Sequence, residues 1–570
     1  MRKNEDYPWY KYYNDMRKTI EIDDVSMYEM VRRCASKYSY LTAYSYYGNE
    51  VTYKTYINKI DLCAAAFANI GVERKTVVSI IMPNTPEAII AFYALNKLGA
   101  IVNMIHPLSS EEEIIYALEL TKTEYVMIAD ITYGKLLNIK DKINVKKIIY
   151  TSVSESMDPL MKIGYMFKTR KKVVKPVGED TINYGKFISR GRLYTKSIKD
   201  KSKGSTEAVI LHSGGTTGKP KGIILTNKNF NATALGLLEI NKTMGPGVST
   251  LSIMPIFHGF GLGCTFHAVN ISGGKAIILP TFSPKEFDSL IMKYRPNVVA
   301  CVPSLLEGLP NSRKLKNADL SFIDGVVCGG DSISEKLNKV LDNFLYEHDS
   351  EARVRSAYGM TECTAGVTMM PKEETRLGSI GIPTPNTIIK IVDPNTGKDL
   401  PYNEVGEICI SGPTVMKEYI YDEEETKNIL KKDKEGRIWL HSGDLGYMDE
   451  DGFIYFTTRL KRMIVSSGYN IYPGQIEQII LEHPYVEKCA VVGVPHPYKK
   501  EVVKAYIVLK KGLVLNSEIK KSIKSHCEKN IATYALPYAY GYRKELPTTK
   551  IGKVAYRELI NDKDEVKWKI

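Results

Sequence analysis

Val77-Val78-Ser79-Ile80-Ile81-Met82 is a short apolar run closed by Pro83-Asn84, and a helical pattern from Pro86 to Leu98 follows until Gly99 stops it. A second apolar run, Ile101-Val102-Asn103-Met104, comes next. Runs this short, bounded by turn residues, read as buried strands. Upstream, apolar residues at helical spacing mark Met27 to Tyr38 and Tyr56 to Ile70; downstream, a helix at 110–121 and a strand from Tyr125 to Ala129 repeat the unit. Strands alternating with helices of this length imply an α/β chain built on a largely parallel, doubly wound sheet.

The same alternation leads into Leu211-His212-Ser213-Gly214-Gly215-Thr216-Thr217-Gly218-Lys219-Pro220-Lys221-Gly222. Ala208 to Leu211 reads as a strand leading in, and Ile223 to Leu225 as a strand leading out. Glycines let backbone approach an anion, hydroxyls and amides donate to its oxygens, and lysines balance its charge. This is a polyphosphate loop, but not the nucleotide loop G-x-x-x-x-G-K-[ST]. Gly214 to Gly218 encloses one residue too few, and Pro220 stands where the Mg²⁺-binding hydroxyl would be.

Length and composition bound the rest. A chain of 570 residues exceeds one ordinary core, so two or more domains are expected. Apolar and charged fractions of 44% and 25% are those of a globular protein. The first residues show no apolar leader, no run is long enough to span a bilayer, and the nine cysteines lack metal or disulfide spacing. The expectation is a cytoplasmic protein. The net charge of +13 calls for anionic partners, and 18 lysines and arginines against 11 acids fall from Ile464 onward. No nucleic-acid-binding signature accompanies them, so a nucleotide-bearing small molecule is preferred to nucleic acid.

Residues 157 to 203 break the rhythm. Pro159 to Phe167 runs into Lys168, Arg170, Lys171 and Lys172, a surface insertion or a basic amphipathic element in weak contact with a membrane. Strands resume at Lys275 to Leu279 and Val298 to Val302, and glycine-punctuated Leu377 to Gly412 reads as a small β-subdomain. From Ile471 a compact second domain begins, with helices at 474–481 and 517–528 and strands at 489–493 and 503–509.

Further clusters follow the loop in order: Pro255-Ile256-Phe257-His258-Gly259-Phe260-Gly261, Cys328-Gly329-Gly330-Asp331, Tyr358-Gly359-Met360-Thr361-Glu362, Ser442-Gly443-Asp444, Arg459-Leu460-Lys461, Ser466-Ser467-Gly468-Tyr469-Asn470 and Pro547 to Lys553. Singly each is weak. Their joint order, from about Ser26 to Leu559, resembles the adenylate-forming superfamily, on its acyl-CoA synthetase branch. The resemblance implies a large N-terminal domain of doubly wound mixed sheets with a β-subdomain (1–458), a hinge (459–463) and a small, mobile α+β domain carrying the catalytic lysine (464–570).

It also implies an AMP-forming acid–thiol ligase using ATP, Mg²⁺ and CoA. Ser213, Gly214, Gly215, Thr216, Thr217, Gly218, Lys219 and Lys221 would hold the β- and γ-phosphates. Thr361 would bind the α-phosphate and Glu362 would ligate Mg²⁺. Tyr358 would stack on adenine beside Gly329, Gly330 and Asp331, with Gly359 and Met360 in the same strip. Asp444 and Arg459 would hold the ribose. Lys553 would meet the α-phosphate and the substrate carboxylate, then leave as the domain swings about Lys461 and Ser467, Gly468 and Tyr469 line the pantetheine channel. Two departures stand out: Ile551 replaces a hydroxyl residue in the lysine motif, and Thr458 and Arg462 replace the glycine and aspartate flanking the hinge motif.

From Ile256 to Lys275 there is no acid to hold an ammonium group, which disfavours an α-amino acid. The acyl pocket candidates are His258, as a gate, with Phe260, Val302 to Leu306, and Gly359 to Val367. They suit an apolar fatty or aryl acid. A stand-alone adenylating enzyme serving an acyl carrier protein is the alternative, and a homodimer stays open.

Overall fold

The computed structural model describes residues 6–213, 220–280, 284–466, 469–496, 500–548, 554–560 and 562. The chain divides into two compact units. The first comprises Met1–Ile389, Ile410–His441 and Asp451–Phe453; the second comprises Lys390–Cys409, Ser442–Glu450 and Ile454–Ile570.

Two sheets build the first unit. One has eight strands in the order Glu418–Tyr419, Lys221–Thr226, Glu207–Ser213, Ile101–Met104, Val77–Ile81, Tyr125–Ala129, Lys147–Thr151, Thr181–Asn183. Its pairs run parallel from Glu207–Ser213 to the far edge and antiparallel at the loop end. The other has nine strands, from Ile382–Pro383 through Thr368–Met369, Val354–Tyr358, Gly325–Cys328, Val298–Cys301, Ser249–Ser252 and Lys275–Ile278 to Thr42–Tyr46 and Asn49–Thr52. It too is parallel in its middle and antiparallel at both ends.

The helix Pro86–Leu98 begins where the Thr85 side chain accepts from Ala88 N, and ends at Gly99 with φ +72°. Every residue from Pro86 to Asn96 is buried, so this helix is apolar nearly all round rather than on one stripe. One core cluster joins it to Val78 and Ile80 of the first sheet and to Ala276 and Ile278 of the second.

Only the first half of 157–203 interrupts the alternation. The helix Pro159–Thr169 buries none of its residues, and Leu160, Ile163, Met166 and Phe167 are exposed. Thr181–Asn183 then adds a parallel edge strand, and the helix Tyr184–Arg192 lays Phe187 against Phe67, ring centroids 4.8 Å apart. The β-subdomain is longer than Leu377 to Gly412: its strands are Ile388–Val392, Gly406–Ser411, Leu430–Lys432, Ile438–Met448 and Ile454–Arg459.

In the second unit the antiparallel strands Val486–His496 and Lys500–Leu509 carry Ala539–Arg543 in parallel, with the helices Pro473–Leu481 and Ser517–Asn530. Among the described residues no helix is long and apolar enough to cross a membrane.

Candidate functional site

In the first unit a cleft of about 740 Å³, its open mouth included, opens along one face of the nine-stranded sheet. His258, Phe260, Gly329, Gly330, Tyr358, Gly359, Met360 and Thr361 all line it. Three separate sequence clusters thus meet at one place. Val302 stands behind Gly330, where a Cβ would meet Val302 Cγ1 at 3.5 Å, and does not line the cleft. Asp331 is exposed and accepts from Ser332 N at 2.9 Å.

The Tyr358–Glu362 strip is held by a tight reversal. The 3₁₀ turn Thr361–Cys363 is followed by Thr364 and Ala365 at φ +58° and +76°, a left-handed conformation that favours glycine. A Cβ on Gly359 would stand 1.2 Å from Ala365 O, so only glycine fits. Thr364 Oγ1 donates to Thr414 O at 2.7 Å, and Met416 N donates to Glu362 O at 2.8 Å.

Glu362 itself is buried, and Tyr419 Oη donates to its Oε1 at 2.9 Å. Burial first, then the Glu362 charge, pushes the Tyr419 hydroxyl well above its usual range, so it remains a donor. Lys221 Nζ lies 4.8 Å from the centroid of the Tyr419 ring and pairs with the Glu425 carboxylate. A carboxylate with one oxygen already held fits Mg²⁺, which takes few protein carboxylates and keeps phosphate oxygens and water as its other ligands.

Ser213 and Lys221 are register partners at the ends of the two antiparallel strands, as the loop reading requires of its flanks. Residues 214–219 between them lie outside the described residues. Next to Ser213, His212 Nε2 donates to Asn103 Oδ1 at 2.7 Å, because Asn103 Nδ2 is committed to Ser79 Oγ and Thr121 Oγ1. Burial holds the His212 imidazole down at about 4, so it is neutral at pH 7. At the cleft, Phe260 N donates to His258 Nδ1 at 3.3 Å, which leaves the proton on Nε2. His258 is exposed and precedes the π-helical segment Phe260–His267.

In the second unit Asp444 and Arg459 are register partners on adjacent strands, with Arg459 Nε 3.3 Å from Asp444 Oδ1. Asp444 is buried, its N–H donates to Ser442 Oγ at 3.0 Å, and Gly443 N donates to Glu407 Oε1 at 2.9 Å. Lys461 is exposed in the 3₁₀ turn Leu460–Arg462. Arg462, the departure from the hinge motif, donates to Glu477 Oε1 at 2.6 Å and lies 3.5 Å from the Tyr556 ring centroid. Tyr469 begins the strand Tyr469–Ile471. Ser467, Gly468 and Lys553 lie outside the described residues.

Residues 31–420 match the family model for the AMP-binding enzyme, and residues 475–553 match that for the AMP-binding enzyme C-terminal domain. The chain belongs to the AMP-binding enzyme family. It is an adenylate-forming enzyme of the acid–thiol ligase class, with both family parts in the usual order. It is 31% identical over 568 residues to a long-chain-fatty-acid–CoA ligase of Bacillus subtilis, covering 98% of each chain. It is 29% identical to a luciferin 4-monooxygenase of Photuris pensylvanica, over 88% of each. ATP-bound MatB from Rhodopseudomonas palustris shares the fold at a TM-score of 0.79 and 22% identity, covering 94% of this chain and 98% of that one.

Sequence reading missed Tyr419, Glu425 and Asn103, and it missed the deeper cleft residues Leu237, Asn241, Met244, Thr250, Val298 and Ala300. None sits in a motif. Tyr419 reaches Glu362 because Glu418–Tyr419 pairs with Ile223 and Ile224, a contact between distant segments.

Proposed function

We propose that this enzyme joins a largely apolar carboxylic acid to CoA in two steps. The carboxylate attacks the α-phosphate of ATP, forming acyl-AMP and releasing pyrophosphate; the CoA thiol then displaces AMP and forms the thioester. The observation that carries the reading is the single cleft where His258, Tyr358, Gly359 and Thr361 converge, beside the buried Glu362. Its lining is mostly apolar, which suits an acyl chain, and relatives named as fatty-acid ligases support CoA as acceptor.

In this reading Ser213, Lys221 and the loop between them hold the departing phosphates, while Thr361 donates to the α-phosphate. Glu362, steadied by Tyr419, would hold Mg²⁺, whose charge would offset that of the phosphate oxygens. Asp444 accepts from the ribose hydroxyls and Arg459 supports it. Lys553 supplies a cation during adenylation. The division at 459–463, with 464–570 turning about Lys461 between the two steps, belongs to the same proposal. His258, with its proton on Nε2, stands at the acyl pocket as a gate.

The test is a panel of carboxylic acids incubated with Mg·ATP, with and without CoA. Acid-dependent ATP–pyrophosphate exchange and a thioester of the expected mass are the expected results. Exchange without thioester would remove CoA from the reading, and no exchange with any acid would remove adenylation.

A further inference from the structure

The cleft is apolar along its walls and polar at its floor. Thr250, Val298, Ala300, Val327 and Ala357 line it from neighbouring strands of the nine-stranded sheet. Arg355 shares their face: it is the register partner of Val327 and stands two residues before Ala357, and side chains two apart on a strand point the same way. The guanidinium is buried at 4% exposure. Its Nη2 donates to Asn241 Oδ1, and Asn241 lines the cleft at the end of the helix Asn227–Ile240.

Two polar atoms here have no partner among the described residues. One is Thr250 Oγ1, on the lining itself; the other is Nη1 of Arg355, which stands just behind the lining against Asn241. The carboxylate that acts on Arg355 through space, Glu373, is itself exposed. Burial lowers the guanidinium only to about 10, so it keeps its charge at pH 7. A buried cation held by one amide oxygen is a poor floor for a methyl group, because a saturated chain end would desolvate the charge and offer nothing in return.

We propose that the acid activated here carries a hydrogen-bond-accepting oxygen group at its far end, which Arg355 and Thr250 receive at the floor of the cleft. The proposal rests on the carboxylate–CoA ligase reading and narrows its substrate class: an apolar body with an oxygenated tail. A distal carboxylate matches the guanidinium best, in both charge and geometry, and a distal hydroxyl matches the same donors without the charge.

The test compares three acids of equal chain length, ending in a carboxyl, a hydroxyl or a methyl group, over a range of lengths. Each is scored by kcat/KM for acid-dependent pyrophosphate release. With the intact enzyme the better of the two oxygenated acids is expected to exceed the methyl-ended one by about tenfold or more, the size of a hydrogen bond to a charged group. Arg355→Met should collapse that ratio towards one, and Arg355→Lys should restore part of it. Thr250→Val, a smaller change, keeps the test open should Arg355→Met fail to fold. Preference of the intact enzyme for the methyl-ended acid at every length would overturn the proposal while leaving the ligase reading intact. A variant that lowers the melting temperature without changing the ratio would do the same, by showing a purely structural arginine. Failure of all acids to release pyrophosphate would instead refute the ligase reading itself.

Discussion

Replacing Tyr419 by phenylalanine removes one hydroxyl and leaves the ring on which Lys221 rests, 4.8 Å from its centroid. The lost contact is the 2.9 Å hydrogen bond to Glu362 Oε1, on a side chain only 8% exposed. Water has little access to replace it. A hydrogen bond to a charged group is worth about 1.5–3 kcal/mol, which corresponds to about 10- to 100-fold at one tenfold step per ~1.4 kcal/mol. Loss of a group that orients a metal-binding carboxylate produces a decline of the same order, about 10–100-fold in metal affinity. Two measurements read it: the Mg²⁺ concentration needed for half-maximal ATP–pyrophosphate exchange, and the affinity for Mn·ATP by calorimetry. Both should weaken together, with the melting temperature little changed. Because burial keeps the Tyr419 hydroxyl protonated, the deficit should not change as pH rises from neutral into the alkaline range. An unaltered metal requirement in a well-folded Tyr419→Phe enzyme would refute the coupling of Tyr419 to metal binding through Glu362.

Other consequences can be measured with the same preparations. Burial holds the Glu87 carboxyl up at about 7 against an ordinary 4.5, so between those values the folded protein keeps a proton that the unfolded chain releases. Stability therefore falls as pH rises through that window, and Glu87→Gln should stabilise the fold by up to about 3 kcal/mol at about pH 8 and by nothing at about pH 4, read by denaturant melts. Gly359→Ala must push the Ala365 carbonyl away from a 1.2 Å overlap. Exchange activity should drop about a hundredfold or more through misplacement of Thr361 and Glu362, and an active variant would show that the reversal is not needed. Lys553→Ala should nearly abolish acyl-AMP formation yet still convert supplied acyl-AMP and CoA to thioester, whereas Gly468→Leu should do the reverse; equal loss of both steps in either variant would count against two working arrangements. Changing Leu160, Ile163 and Phe167 together to serine should reduce co-sedimentation with anionic vesicles, given their exposure beside Lys168, Arg170 and Lys171; unchanged sedimentation would leave that helix a plain surface insertion.

The alternation of apolar runs and helical patterns determined the fold class by itself. Pro86–Leu98, Ile101–Met104 and Tyr125–Ala129 have in the structure the bounds that their sequence implies, because caps, glycine stops and short apolar runs are local signals. Motif order was equally legible, and so was family membership. Local signals do not say which strand neighbours which. Thr181–Asn183 completes a sheet from within a stretch that reads as an interruption, because a three-residue edge strand has too little pattern to announce itself. Tyr419 meets Glu362 across 57 positions of sequence, and Arg355 meets Asn241 across 114. Only the tertiary structure decided those contacts. A parallel sheet gathers its cleft from one face of many strands, each contributing a residue or two, so no contiguous stretch could spell out the floor of that cleft.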